Sequence, residues 1–339
     1  MTSSYWETSR HADRRPFLAA RSAILRAVRG WFEAQGFIEV EPNLIVPSPG
    51  AETHIDAVAA DGGYLHTSPE FAMKRLLAAG EEKIFYLGKC WRKGETGPLH
   101  APEFTMIEWY RAGAPYEAIM EDCIEIVRLA ARAANASALR WKQRACDPFV
   151  VPQTITVRDA FARYLPSSLA EEGSGEEGRS NAQAPDRLHA PHPPTPSPQG
   201  RGGESASDFF SRQIVQLEPQ LGNAALTLLT EYPISEAALA RPCPHDASVA
   251  ERFELYACGV ELANGFGELT DPSEQRRRLI EAMDEKEKRY GQRWPIDEDF
   301  LAALAHMPPA SGVAMGFDRV VMLATGARHI NDVLWTPQN

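Results

Sequence analysis

FYLGKCWRKGETGPLHAPEFTMIEWY, from Phe85 to Tyr110, is the stretch whose reading decides the fold. Two alternating runs flank a segment holding Gly94, Gly97, Pro98 and Pro102, which predicts two strands joined by a loop of about ten residues. Tyr86, Gly88, Cys90 and Arg92 share one face of the first arm; Phe104, Met106, Glu108 and Tyr110 share one face of the second. An ordinary half-buried hairpin separates apolar from solvated groups. Here one face carries an arginine, a phenylalanine, a glutamate and a tyrosine, the mixed chemistry of a binding floor. The hairpin alone is also compatible with a half-buried structural element that has a charged edge.

Composition narrows the classes. The chain has 339 residues, 44% of them hydrophobic, enough for a globular core. A net charge of −11 argues against a broad nonspecific nucleic-acid surface, although an acidic total can hide a local basic patch. Cys90, Cys123, Cys146, Cys243 and Cys258 are odd in number and lack both a CxxC pair and zinc-ligand spacing. They read as reduced thiols of a cytoplasmic protein. The polar start MTSSYWETSRHADRR, followed by no long apolar run, predicts neither a signal peptide nor a membrane span.

The apolar spacing of Phe17, Leu18, Ile24, Leu25, Val28, Trp31 and Phe32 predicts an amphipathic helix from Pro16 to Gln35, stopped at Gly36. FIEVEPNLIV then reads as a strand broken at Pro42. In HTSPEFAMKRLLAAG, from His66 to Gly80, a helix is expected with Ser68 as its cap, Pro69 in the first turn and Glu70 at the positive end. Residues 116–135 suit another amphipathic helix, and PQTITVRDAFARYL a strand followed by a short helix. From 167 to 207 proline, glycine and serine dominate with almost no large apolar residue, so this insert is expected to be disordered and without catalytic role; its PHPPTPSP also contains a PxxP match. DFFSRQIVQLEPQL is amphipathic, and LTLLTEYPISEAAL holds a buried-type strand that stops at Pro233.

Glu254, Glu261 and Glu268 recur seven apart, which would put neighbours on opposite faces of one uninterrupted strand. A two-residue turn at Cys258-Gly259 sets Tyr256 opposite Glu261 and leaves Glu254 on that same face. A bulge at Asn264-Gly265 would bring Glu268 to the same side. Converging carboxylates on an otherwise apolar sheet are costly unless a cation neutralises them. Three glutamates on a wet face are the alternative reading.

Taken together, these segments resemble the class II aminoacyl-tRNA synthetases. Arg92 with EFTMIEWY is similar to their second signature motif in its lysyl form. SGVAMGFDRVVMLATGA, from Ser311 to Ala327, is similar to the third, a glycine-rich strand entering a helix at Asp318-Arg319, and RFELYACGVELANGFGELTD to the lysyl-specific segment. Helix, strand and Pro42 have the layout of the first motif, which in that family builds the dimer interface. The closest likeness is to short lysyl-type paralogues that attach lysine or (R)-β-lysine to elongation factor P.

This resemblance implies an α+β fold, a mostly antiparallel sheet flanked by helices in one catalytic domain, and a homodimer. It implies ATP and Mg²⁺ as cofactors, with lysine or (R)-β-lysine and elongation factor P as partners. By the same resemblance Phe104 stacks under adenine and Arg319 covers it. Arg92 contacts the α-phosphate and the substrate carboxylate, with His100 near the outer phosphates and Leu262 and Gly316 beside the nucleotide. Glu254 and Glu261 hold Mg²⁺. Ser68, Glu70, Asn264 and Ala314 surround the amino acid, with Glu70 on its amino group, while Glu268 and the Tyr110 hydroxyl receive the distal ammonium.

Several positions depart from the family pattern. Glu95 lies one residue later than the glutamate expected to meet the adenine amino group. Ala101 stands where asparagine is expected, and Ala314 where glycine is, which narrows the amino-acid pocket. About fifteen residues precede the first helix, too few for an anticodon-binding barrel, so no tRNA is expected as a substrate. Acylation of another acceptor by a truncated paralogue, and a noncatalytic lysine-binding regulatory subunit, are the alternative readings.

Overall fold

The computed structural model describes residues 4–50, 52–165 and 206–337. Helix α1 (Thr8–Ala34) begins well before the expected start at Pro16 and runs through that proline. An interior proline costs a helix about 3 kcal/mol, and tertiary contacts hold the extra turns: buried Arg14 donates to the Leu334 carbonyl. Gly36 takes the expected positive φ, 77°. The single strand expected to follow is two short ones, β1 (Ile38–Glu39) and β2 (Ile45–Val46), because Pro42 interrupts the ladder between them. β3 (Ala59–Ala60) and β4 (Gly63–Leu65) complete a small sheet with β2. Next comes α2 (Glu70–Ala78), whose N-cap is Pro69 rather than Ser68, although Ser68 Oγ does accept the Glu70 N–H at 3.1 Å.

The hairpin is β5 (Lys83–Trp91) and β6 (Glu103–Ala112), paired Tyr86 with Glu108, Gly88 with Met106 and Cys90 with Phe104, so the two predicted faces are one. Scaffold follows: α3 (Tyr116–Ala133), the hairpin β7 (Leu139–Trp141) and β8 (Arg144–Cys146), then β9 (Gln153–Thr156) and α4 (Val157–Tyr164). Thr156 caps α4 by accepting the Asp159 N–H. The predicted disordered insert and its PxxP match lie outside the described residues, except that residues 206 and 207 already belong to α5 (Ala206–Leu217).

β10 (Thr227–Pro233) ends at the expected proline and is followed by β11 (Pro242–Cys243), β12 (Asp246–Ala257) and β13 (Val260–Gly267). Helices α6 (Pro272–Tyr290) and α7 (Glu298–Leu304) start at aspartate caps, Asp271 and Asp297. β14 (Ala310–Gly316) leads directly into α8 (Phe317–Thr325), one residue earlier than expected, and α9 (Ile330–Val333) closes the described chain.

The main sheet runs β1-β5-β6-β14-β13-β12-β10-β9, with β11 on β12. The outer pairs β1–β5 and β9–β10 are parallel and the other pairs antiparallel, as the α+β expectation requires. Strand alternation sorts the faces. Ile107 and Trp109 of β6 join Ile24, Phe32 and Val321 in a core under α1, α3 and α8, while Met106 and Tyr110 join Phe71 and Phe300 beneath α2 and α7. The cavity opens on this second face. Among the described residues all five cysteines are free and buried, and no helix is long and apolar enough to cross a membrane.

Candidate active site

A cavity of about 310 Å³ lies over β6, β13 and β14. The residues expected at a nucleotide and an amino acid meet there: Arg92, Glu95, His100, Phe104, Glu254, Glu261, Leu262, Gly316 and Arg319, together with Glu70, Tyr110, Asn264 and Ala314. Ser68 and Glu268 sit just outside its lining.

The glutamates converge by the expected turn and a displaced bulge. Cys258 and Gly259 both have positive φ, 56° and 73°, and Tyr256 pairs with Glu261. The register then slips so that Leu255 faces Ala263 and Glu254 faces Asn264. The extra residue is therefore Leu262, not Asn264 or Gly265. Leu262 is 2% exposed and packs into the core under α3 and α8; its burial fixes the bulge and turns Glu261, Asn264 and Glu268 to one side.

One end of the cavity is rich in fixed cations. Arg92 stacks over Phe104 with its guanidinium carbon 5.2 Å from the ring centroid, and its Nη1 lies 3.9 Å from Glu95. Arg319 donates from Nη1 to the Glu261 carbonyl at 2.9 Å, and its Nη2 meets His100 Nε2 at 2.7 Å. Burial, then the neighbouring Arg319, pushes the His100 pKa down, so the ring is a neutral acceptor. Asp318 ties this end together: it accepts the Thr105 N–H at 2.7 Å and pairs with Arg21 of α1, holding β6 against the start of α8. This pairing was not picked out from sequence, where Asp318 was named only as the start of a helix, since Arg21 is far away in the chain.

The same end holds carboxylates in excess. Burial and Glu254 raise the Glu261 pKa, and Glu218 is pushed up to about 7 by burial and then by Glu261 and Glu254. Glu254 carries more partners than expected, accepting from Arg252 Nη2 at 2.7 Å and from the Tyr256 hydroxyl at 2.5 Å. Each of its oxygens retains a second lone pair. Among the described residues no set of three or more His, Cys, Asp or Glu side chains could hold a metal ion. The donor set still fits Mg²⁺, which takes one or two protein carboxylates and fills its shell with phosphate and water. Buried carboxylates crowded together, as Glu261 and Glu218 are beside Glu254, are also stabilised by a cation.

The opposite end holds partners that the sequence did not show. The Tyr110 hydroxyl is engaged: it donates to Glu108 Oε1 at 2.8 Å, and Ser68 Oγ donates to Glu108 Oε2 at 2.6 Å. Glu108 was placed on the floor without a role, yet it is 1% exposed and its pKa is raised to about 8, by burial first and then by Glu70. Glu268 is not an open receptor either. Its Oε2 pairs with Lys74 Nζ at 2.6 Å, while Oε1 has no hydrogen-bond partner. Lys74 also pairs with Glu70 at 2.6 Å, bridging the two carboxylates assigned to the substrate's two amino groups. The i,i+4 spacing of Glu70 and Lys74 was a signal that could have exposed this pair. Gly312 is obligatory at this end: a Cβ there would lie 2.2 Å from the Tyr110 ring and 2.7 Å from Glu268 Oε1.

This acid-rich end has a pH signature. Glu108 and Glu268 titrate near 8 and 7 in the fold, against an ordinary value of 4.5, so the folded state binds more protons than the unfolded chain in that window. Stability must then fall as pH rises from about 5 to about 8. Thermal unfolding without ligand is expected to show that slope, and Glu108→Gln to flatten it. A melting temperature that climbs over the same range contradicts the assignment.

Comparison with known proteins fits this geometry. The family model of class II tRNA synthetases (D, K and N) matches residues 1–339. The chain is similar to proteins named elongation factor P–(R)-beta-lysine ligase: it is 35% identical to that of Vibrio cholerae over 99% of both chains. It is 35% identical to that of Pseudoalteromonas translucida over 94% of both, and 37% identical to that of Photorhabdus laumondii over 94% of this chain and 93% of the other. A floor, a glutamate ladder and a glycine-rich strand that converge on one cavity, matched along the whole length by one family, mean that the chain belongs to the class II tRNA synthetases of the D, K and N group.

Proposed function

We propose that this protein activates lysine or (R)-β-lysine with ATP and attaches it to a lysine amine of elongation factor P. One observation carries the reading: a cavity of about 310 Å³ has paired arginines and acidic side chains at one end and a buried cluster of carboxylates at the other. A nucleotide suits the first end and an ammonium the second.

Phe104 and Arg319 take the adenine, with Leu262 and Gly316 alongside and Glu95 as acceptor for its amino group. His100 borders the outer phosphates. Glu254 and Glu261, with Glu218 behind them, would hold Mg²⁺, which when bound neutralises phosphate charge. Glu70 and Asn264 take the substrate's amino group, Glu108, Glu268 and Tyr110 take its distal ammonium, and Ala314 limits the width between them. Arg92 binds the substrate carboxylate and the α-phosphate. The carboxylate oxygen attacks the α-phosphorus, pyrophosphate leaves, and an aminoacyl-adenylate remains. No proton needs to move in this step, so catalysis rests on positioning and on charge stabilisation by Arg92 and Arg319. The amine of elongation factor P then displaces AMP.

Ile38 of β1, Ile45 of β2 and Leu44 before it are 57%, 48% and 46% exposed, apolar side chains that support a homodimer. Sedimentation at the mass of two chains is the expected result, and the mass of one chain removes that part of the reading. The function itself is tested by weighing purified elongation factor P after incubation with enzyme, ATP, Mg²⁺ and either isomer. Gain of one lysyl mass is expected. An unchanged mass beside active pyrophosphate exchange points to another acceptor, and absence of exchange points to a noncatalytic lysine-binding protein.

A further inference from the structure

The acid-rich end of the cavity borders a second, larger one of about 630 Å³, and beyond the residues they share the steps above leave its space empty. The two share Glu52, Glu70, Arg252, Asn264 and Phe266. The second is walled by the segment before α2, by residues 234–239 and by α6.

Its charge selects what it can admit. The arginines on its wall are already neutralised: Arg277 pairs with Glu281 and Glu274, both at 2.7 Å, Arg278 with Glu274 at 2.8 Å, Arg75 with Asp297 at 2.5 Å, and Arg252 with Glu254 at 2.7 Å. Glu52, by contrast, has no hydrogen-bond or ion-pair partner among the described residues. Its side chain is exposed to the water of both cavities at the point where they join. Such a compartment repels phosphate and attracts a cation. The amino-acid substrate already has carboxylates for both of its ammonium groups, which leaves the acceptor amine as the unassigned cationic reactant.

Glu52 is also held in place. Lys286 of α6, completely buried, donates from Nζ to the carbonyls of Thr53 and Ile55 at 3.0 and 2.9 Å and pairs with Asp56 at 3.2 Å, pinning the segment that follows Glu52. Its ammonium lies 4.1 Å from the centre of the Trp294 ring, so it is fixed from both sides. A buried lysine is costly unless it is paired and hydrogen-bonded, and here the partners that offset the cost all hold this loop in one place.

We propose that the second cavity admits the acceptor's lysine side chain and that Glu52, where the cavities meet, takes the proton from its ammonium. This rests on the amine-acylation reading above. The acceptor R–NH₃⁺ gives one proton to the Glu52 carboxylate, and the freed nitrogen attacks the aminoacyl carbonyl carbon. The C–N bond forms as the bond from that carbon to the AMP phosphate oxygen breaks. The second proton is lost from nitrogen as the amide forms and leaves with the AMP phosphate. Burial, opposed by Arg92 and reinforced by Glu70, raises the Glu52 pKa, with Arg252 and Glu95 also facing it; this suits a base for an ammonium.

The test compares two nucleophiles on the full-length enzyme: elongation factor P, whose amine must be deprotonated, and hydroxylamine, which is already neutral at the working pH. In Glu52→Gln the ratio of transfer to elongation factor P over hydroxamate formation is expected to fall about 100-fold, within the range of a general base. Ser235→Trp, which narrows the second cavity from its exposed wall, is expected to lower the same ratio through a higher KM for elongation factor P. An unchanged ratio in Glu52→Gln overturns the base, and an unchanged KM in Ser235→Trp overturns the entrance. Wild-type exchange without transfer to elongation factor P removes the functional reading and this proposal together.

Discussion

Arg92→Lys is expected to lower lysine-dependent pyrophosphate exchange by about 10²–10³-fold, the usual consequence of removing one fixed donor from a developing charge. The side chain is already aimed: its guanidinium lies over Phe104, 5.2 Å from the ring centroid, and its Nε is buried without a hydrogen-bond partner. An unpaired buried donor costs about 1–3 kcal/mol in the absence of ligand, a cost that bound substrate removes. Lysine keeps the charge but cannot present two parallel N–H groups to a carboxylate and a phosphate, nor lie flat on the ring. The loss should therefore fall mainly on kcat, with a smaller effect on the KM for ATP, for which Arg319 is proposed as a second contact. Exchange within about threefold of wild type would show that the Arg92 fork is not what stabilises the reaction.

Lys74→Met is expected to destabilise the protein by about 3–5 kcal/mol, the range for breaking a buried pair from one side. Lys74 is 1% exposed and bridges Glu70 and Glu268, both at 2.6 Å. Removing the ammonium leaves Glu268 with no partner at all and forces it to protonate. Its pKa is already raised to about 7 by burial even with Lys74 beside it. The double variant Lys74→Met/Glu268→Leu should recover much of the loss, since replacing a whole buried pair by apolar groups is often nearly neutral. Denaturant unfolding measures both. A loss below about 1 kcal/mol in the single variant would mean that the pair is solvated and that this end of the cavity is wetter than its burial indicates. Lysine should bind by taking over part of the role of Lys74, so the single variant is also expected to gain more stability from added lysine than wild type does.

The hairpin floor was legible because strand alternation is local: Tyr86, Cys90, Phe104 and Glu108 declare one face by their spacing alone, and the register pairs them accordingly. The turn at Cys258-Gly259 was legible for the same reason. Its bulge was misplaced because Leu262 leaves the ladder to pack into the core under α3 and α8, which no neighbouring residue reveals. The pairing of Lys74 with Glu268 and of Arg21 with Asp318 joins side chains far apart in the chain, so the acid-rich end was assigned as if Glu268 stood open. Glu108 shows a related limit. Its alternation put it on the floor, but only the tertiary structure shows the burial and the neighbouring Glu70 that push its pKa up to about 8, and the Ser68 and Tyr110 hydroxyls that donate to it. Helix α1 began early because Arg14 reaches the carbonyl of Leu334, a contact that overrides the preference Pro16 imposes locally.

The central claim is that one cavity takes a nucleotide and a diamino acid end to end, and a crystal structure with a nonhydrolysable lysyl-adenylate analogue tests it most directly. The account predicts adenine between Phe104 and Arg319, the bridging phosphate on Arg92, and the distal ammonium against Glu108 and Glu268. An analogue bound elsewhere, or lying with its ammonium toward Glu254 and Glu261, would contradict it.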